Sequence, residues 1–150
     1  MANEPDLALL EADSMSSHHV PDNLSAAGLE AFLQEQIPLT RAMGLHVALS
    51  DATQLVLEAP LEPNRNHLGT AFGGSLHALP TLACYGTLWV LLREAGLDGH
   101  VVIKDSRVAY RQPVKGVLRA TCQRPGPETV TAFLAALSRN RKAGMELSAT

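Results

Sequence analysis

The sequence is poor in charge and in aromatic rings. Of its 150 residues, 18% are Asp, Glu, Lys or Arg and 4% are Phe, Trp or Tyr, where roughly 25% charged is usual for a soluble domain. Twelve basic residues stand against 15 acidic ones, for a net charge of −3. No basic surplus is available to displace counterions from a phosphate backbone. The shortage of aromatics also removes stacking platforms, so nucleic-acid binding as the main role is disfavoured. Cysteine is nearly absent. Cys84 and Cys122 lie far apart and outside any Cys-x-x-Cys spacing, which gives no indication of a zinc site or a thioredoxin-like motif. Two reduced thiols are expected rather than a disulfide. The His18–His19 pair has no third ligand nearby and reads as solvated, so no metal is expected.

One absence is local. No charged residue occurs from Asn66 to Leu92. A run of that length would reach across a bilayer, which takes about 20 apolar residues. It is interrupted, however, by His67, His77, Pro80 and the glycines at 69, 73, 74 and 86. The segment therefore reads as a loop followed by a buried helix, with no membrane span.

What is present is a substantial apolar fraction, 46%, which excludes disorder of the whole chain. The length suits a single domain. Residues 1–24 are polar and carry Pro5 and Pro21. They read as a flexible tail with a helical turn at Asp6–Glu11, and residues 25–150 as one domain. The Leu7–Leu10 cluster is too short for a secretory signal, and a cytoplasmic location is expected.

From Ser25 onwards Leu29, Phe32, Leu33 and Ile37 recur at helical spacing, with Ser25 as cap and Pro38 as stop. A turn through Thr40–Gly44 follows. Two strands, His46–Asp51 and Gln54–Pro60, flank a tight turn at 51–53. After a loop ending in Gly73–Gly74, Ser75 is placed to cap a long helix to about Ala95, closed by Gly96. Pro80 predicts a kink within it. The period then switches to two, and strands are expected at His100–Pro113, Gly116–Arg124, Glu128–Arg139 and Lys142–Thr150. Short-linked strands and one apolar helix make an α+β domain, an antiparallel sheet with the long helix across its face and an extra N-terminal helix.

That order, with Asn64-Arg-Asn-His-Leu-Gly-Thr-Ala-Phe-Gly-Gly-Ser-Leu76, Leu91-Leu-Arg-Glu-Ala-Gly-Leu97 and Val102-Ile-Lys-Asp-Ser-Arg-Val-Ala-Tyr-Arg-Gln-Pro-Val114, resembles a hotdog-fold thioesterase family of the YiiD C-terminal-domain type. The family occurs alone or fused behind an acetyltransferase domain, and malonyl-acyl-carrier-protein decarboxylases are among its members. The resemblance covers roughly residues 28–150. It implies a curved antiparallel sheet wrapped around one central helix, and an enzyme acting on acyl thioesters of acyl carrier protein or coenzyme A. It implies no separate cofactor, since the substrate brings its own phosphopantetheine. It also implies a homodimer or dimer of dimers with sites at the subunit interface.

Two departures bear on the chemistry. Many hotdog thioesterases carry His-Gly-Gly at the turn and a carboxylate about two helical turns on. Here Phe72 precedes the glycines, and Thr81 stands where the carboxylate would fall. Hydrolysis needs an activated water, and a threonine hydroxyl is no base at neutral pH. Asp105 and Glu58 are the substitute acids. Gly73 and Gly74 let a ligand approach a helix N-terminus, whose N–H groups and dipole favour a developing oxyanion. Decarboxylation of a malonyl thioester needs such donors and no general base, so it is the preferred expectation. Hydrolysis and a non-catalytic acyl-thioester binding module are the alternatives.

The candidate catalytic residues are Asn66 and Thr70 as polar donors, His67 to hold a carboxylate or protonate the enolate, and Gly74. Phe72, Gly73, Ser75, Asp105, Arg107 and Arg111 are the candidate substrate contacts, the two arginines for phosphate or an acidic carrier surface. His77 reads as a hydrogen-bonded core histidine, and Cys84 as a small core residue.

Overall fold

The computed structural model describes residues 4–8 and 24–150. Helix α1 (Ala26–Gln36) starts where Ser25 Oγ accepts from the Gly28 amide at 3.1 Å, and it buries Leu29 and Leu33 completely. Pro38 ends α1 but also opens α2 (Pro38–Met43), where a turn was expected. A proline at the first helical position forfeits only an N–H that lacks a partner there anyway. Gly44, at φ +66°, closes α2 in the left-handed conformation.

Strands β2 (His46–Ser50) and β3 (Gln54–Ala59) form the expected hairpin. Its turn is held by Asp51 Oδ1, which accepts from the amides of Thr53 and Gln54 and from the Thr53 hydroxyl. β3 lies in the centre of a three-stranded antiparallel sheet, between β2 and β5 (Leu118–Gln123). That position accounts for the burial of Leu55, Val56 and Leu57 in succession.

Helix α3 (Gly73–Glu94) packs across this sheet. It buries Leu79, Ala83, Cys84 and Leu92 and presses Gly86 against Leu55 and Leu29. α1 joins the same core, where the Phe32 ring stacks on Trp89 with centroids 4.3 Å apart. The capping role expected of Ser75 is not observed. α3 begins three residues earlier, with Phe72 at its N-cap and no side-chain bond from that residue, and it runs on past Pro80 to Glu94. Among the described residues α3 is also the one helix long and apolar enough to cross a membrane, and in the structure its surface is largely taken up by the protein core.

The second half departs further from the period-two reading. Of His100–Pro113 only β4 (Asp105–Arg107) is a strand; it pairs with β1 (Glu4–Ala8), and Val102 and Ile103 before it remain exposed. Glu128–Arg139 is not a strand at all but lies in helix α4 (Pro127–Asn140). The Thr-Val-Thr stretch suggested alternation. Pro127 at the helix start, and Phe133, Leu134 and Leu137 on one face against the core, decide for helix. The last segment is extended in two pieces. β6 (Gly144–Glu146) pairs with β1 (Glu4–Ala8), and Thr150 exchanges hydrogen bonds with Thr121 on β5. The chain end thus links the two three-stranded sheets, β4-β1-β6 and β2-β3-β5. Where a loose tail with a helical turn from Asp6 was expected, Glu4–Ala8 is a strand between β4 and β6. The His18–His19 pair lies outside the described residues.

Candidate active site

The loop before α3 is built on two asparagines. Asn64 is buried, and its amide donates to the carbonyls of Met43 and Pro60, each at 2.8 Å. Its own carbonyl accepts from the Phe72 amide at 2.7 Å. Asn66 organises the loop tip. Its Oδ1 accepts from the amides of Leu68 and Thr70, while its Nδ2 donates to Thr70 Oγ1 at 2.9 Å. Gly69, at φ +73°, makes the reversal possible. The amide expected to face substrate from Asn66 is therefore engaged inside the loop, and Asn66 and Thr70 act as a pair. Asn64, a residue missed in the sequence, carries the larger structural load.

What the loop delivers is an open helix end. The amides of Gly73, Gly74 and Ser75 have no earlier helical carbonyl to bond, and among the described residues no side chain caps them. The first intrahelical bond runs from Leu76 N to Phe72 O at 3.0 Å. The Phe72 ring lies across Gly74, where a Cβ would stand 2.3 Å from Cε1. Exposed Phe72 and Tyr110 lie against this end. Tyr110 closes one side, its hydroxyl donating to the Gly73 carbonyl at 2.9 Å.

One turn further along α3, His77 Nε2 lies 2.7 Å from Ser106 Oγ on β4. His77 is half-buried and hydrogen-bonded as expected, but it faces β4 rather than the apolar core. A turn beyond it, Thr81 Oγ1 is buried with no hydrogen-bond partner, the one such side-chain atom among the described residues. Tyr85 continues the same helical face, and burial raises its phenol pKa against the opposing charge of Arg93. His77, Thr81 and Tyr85 thus form a row along α3, at i, i+4 and i+8.

The remaining candidates are more dispersed. His67 is exposed on the loop. Asp105 is exposed, and its carboxylate accepts from the Ser106 amide at 2.8 Å, so it orients the residue that faces His77. Glu58 is ion-paired to Arg119 across the β3–β5 ladder and takes no part. Arg107 ends β4 and Arg111 lies beyond it, both exposed, so the strand alternation expected to align them does not extend that far. The two cysteines meet inside the core, and both are free thiols. A groove between α1 and β2, lined by Ala27, Glu30, Ala31, Gln34, His46 and Ala48, is separate from all of these. The Glu30–His46 hydrogen bond, 2.7 Å long, lies on its wall.

The comparisons with known proteins agree with this architecture. Residues 26–150 match the family described as "Putative thioesterase (yiiD_Cterm)". The chain belongs to this thioesterase family. A crystal structure of a protein of unknown function from Chlorobaculum tepidum is similar, with 34% identity and a TM-score of 0.81 over 84% of this chain and 80% of that one. A "putative thioesterase" from Shewanella oneidensis shares 26% identity at a TM-score of 0.63, over 69% and 74%. A Pseudomonas aeruginosa protein of unknown function, at 16% identity and a TM-score of 0.57 over 88% and 96%, shares the fold. The fold is the hotdog arrangement, a mixed helix and antiparallel-sheet domain around one long helix, with α1 as its N-terminal addition. At the coarse level, membership of the thioesterase family supports an enzyme that acts on acyl thioesters.

Proposed function

We propose that the protein decarboxylates a malonyl thioester, converting malonyl-acyl carrier protein to the acetyl form in the service of fatty-acid synthesis. The observation that carries this reading is the uncapped N-terminus of α3 under Phe72 and Tyr110, with threonine rather than a carboxylate at position 81. The reaction needs the thioester oxygen stabilised while the carboxylate leaves as carbon dioxide, and free helix N–H groups supply that stabilisation. No general base is required. Protonation of the resulting enolate on carbon completes the acetyl group. The thioester's pantetheine arm runs over Phe72 and Tyr110, and Arg107 and Arg111 are the cations available to its phosphate or to an acidic carrier. A second copy of the chain covers Leu68, Phe72 and Tyr110 in this reading, which sedimentation velocity tests directly.

The decisive experiment supplies malonyl-carrier protein and malonyl-coenzyme A separately and follows carbon dioxide and the acyl product. Acetyl thioester with equimolar carbon dioxide is the expected result. Release of malonate and free thiol instead, with no carbon dioxide, would overturn decarboxylation in favour of hydrolysis.

A further inference from the structure

We propose that His77, held by Ser106, is the acid–base residue of this site, the group that exchanges a proton with the α-carbon of the bound thioester. The inference rests on the acyl-thioester reading of the α3 N-terminus. It gives the site a further activity, exchange of acetyl α-protons with solvent. Its starting point is the 2.7 Å approach of His77 Nε2 to Ser106 Oγ, which fixes the imidazole between α3 and β4. Side chains held this way on one helix and one strand are common. Three further observations give this pair its direction.

First, the imidazole lies beside the open helix end. Ser106 meets His77 and Tyr110 meets Gly73, so the 106–110 segment runs back along α3 from its second turn to its first. The distance along the axis between these two contacts is about 6 Å, close to one helical turn. Cα–Cβ bonds on a helix tilt towards its N-terminus, which turns His77 towards the amides of Gly73 to Ser75. A thioester oxygen at those amides brings its α-carbon to the His77 side. Second, the neighbouring titratable groups are engaged elsewhere. The Asp105 carboxylate accepts from the Ser106 amide at 2.8 Å, and the Tyr110 hydroxyl donates to the Gly73 carbonyl at 2.9 Å. His67 is exposed on the loop, and position 81 holds no carboxylate. His77 is the group left to move a proton there. Third, the buried Thr81 hydroxyl one turn past His77 has no partner. A bound acyl group that brings an acceptor to it would complete it.

Loss of carbon dioxide breaks the bond between the carboxylate carbon and the α-carbon. Its electron pair stays behind as an enolate, with the negative oxygen against the helix amides. The His77 imidazolium gives a proton to the α-carbon as the carbonyl re-forms, and the neutral ring takes another from solvent. The sum is malonyl thioester plus a proton to acetyl thioester plus carbon dioxide. The proton transfer also runs backwards on the product. Neutral His77 takes an α-proton from the acetyl thioester, the enolate forms at the helix amides, and the imidazolium exchanges with solvent before returning a proton. Nothing is consumed, so the acetyl thioester survives. In this role Nε2–H donates to Ser106 Oγ and Nδ1 carries the exchanging proton. Ser106 is a positioning residue, since it holds the ring and does not touch the α-carbon.

The test incubates the full chain in deuterium oxide with acetyl-coenzyme A and with acetyl-carrier protein, and follows the methyl group by mass spectrometry. Carbon dioxide release from the two malonyl thioesters is followed in parallel. Deuterium entering the methyl group with the thioester intact is the expected result. His77→Gln should slow this exchange by at least about a hundredfold, with thermal unfolding close to wild type. It should slow carbon dioxide release far less, because the C–C bond breaks before the proton arrives. Ser106→Ala should shift the same ratio in the same direction, whereas a merely structural role for either residue would lower both rates together. Free imidazole added to His77→Ala should restore part of the exchange. Exchange at the wild-type rate in His77→Gln would overturn the role of His77. So would exchange no faster than in buffer alone from an enzyme that releases carbon dioxide, and either result would leave decarboxylation standing. Exchange without carbon dioxide from either malonyl thioester would support the acid–base role and overturn decarboxylation instead. With neither exchange nor carbon dioxide, both fall.

Discussion

The amide of Asn66 donates to the hydroxyl of Thr70 over 2.9 Å, and the carbonyl oxygen of the same side chain receives the Thr70 amide. These two residues hold the loop that presents Phe72 and the Gly73–Gly74 turn to solvent. Asn66→Ala removes every side-chain bond in that set. A stability loss of about 1–2 kcal/mol is expected for a half-buried group, together with a fall in decarboxylation of about a hundredfold as the helix end loses its frame. Urea unfolding and initial rates on malonyl-carrier protein measure the two effects separately. A fall in stability at unchanged kcat/KM would show that the loop does not frame the reacting centre.

Asn64 carries a heavier structural load at a site remote from solvent. Asn64→Ala leaves the Met43 and Pro60 carbonyls without their donor in a buried setting. A loss of about 2–4 kcal/mol is expected from the two missing bonds and the orphaned acceptors. Calorimetric melting tests it, and a change under 1 kcal/mol, roughly the value of one bond, would contradict the account.

Gly86 is required by close approach rather than by backbone angle. A Cβ there would stand 2.7 Å from Leu55 Cδ2 and 3.6 Å from Leu29 Cδ2, and both leucines are buried with no solvent to retreat into. Alanine gains about 1 kcal/mol in helix propensity, against an overpacking cost of about 1–3 kcal/mol. Gly86→Ala should therefore be neutral to destabilising, and a rise in melting temperature would refute the tight packing of α3 on β3.

The Asp51 carboxylate is held below its usual range by the Thr53 hydroxyl and by the Thr53 and Gln54 amides. A depressed carboxylate contributes stability above its unfolded pKa and loses it as pH falls through the folded one. The stability gap between wild type and Asp51→Ala should be full at neutral pH, and should close in acid below the ordinary carboxylate value of 3.8. Urea midpoints between neutrality and strong acid would show this. A gap that does not change with pH would show that the hairpin turn does not depend on the ionised form.

Cys84 shares a hydrogen bond with Cys122 in the core, and that bond together with burial pushes its thiol far above the usual thiol range. Reactivity follows the thiolate. Iodoacetamide at mild alkaline pH should leave Cys84 unmodified in the native protein and label it readily in urea. Rapid native labelling would contradict its position between α3 and β5.

Local sequence was enough to define α1, the β2–β3 hairpin and the long apolar helix α3. Ser25 as a cap, leucines at helical spacing, the Asp51 turn and an uncharged run from Asn66 to Leu92 each reflect forces that act within a few residues. The open helix end belongs to the same stretch, because α3 starts with Gly73 and Gly74 and its N-cap residue Phe72 has no side-chain acceptor to offer them. Longer-range relationships were not legible. The 128–139 segment carries both a β-branched stretch and a helical face, and packing of Phe133 against the core chose the helix. β4 depends on β1, a partner about a hundred positions away. Whether Asn66 faces substrate or its own loop is settled by competition among nearby backbone amides. The meeting of His77 with Ser106, 29 positions apart, exists only because the segment after α3 folds back along that helix. The sequence by itself determined an uncharged central helix with an open, glycine-marked end. Only the tertiary structure decided which polar groups were brought to it, since those distances are set by how the sheet closes around the helix and not by spacing along the chain.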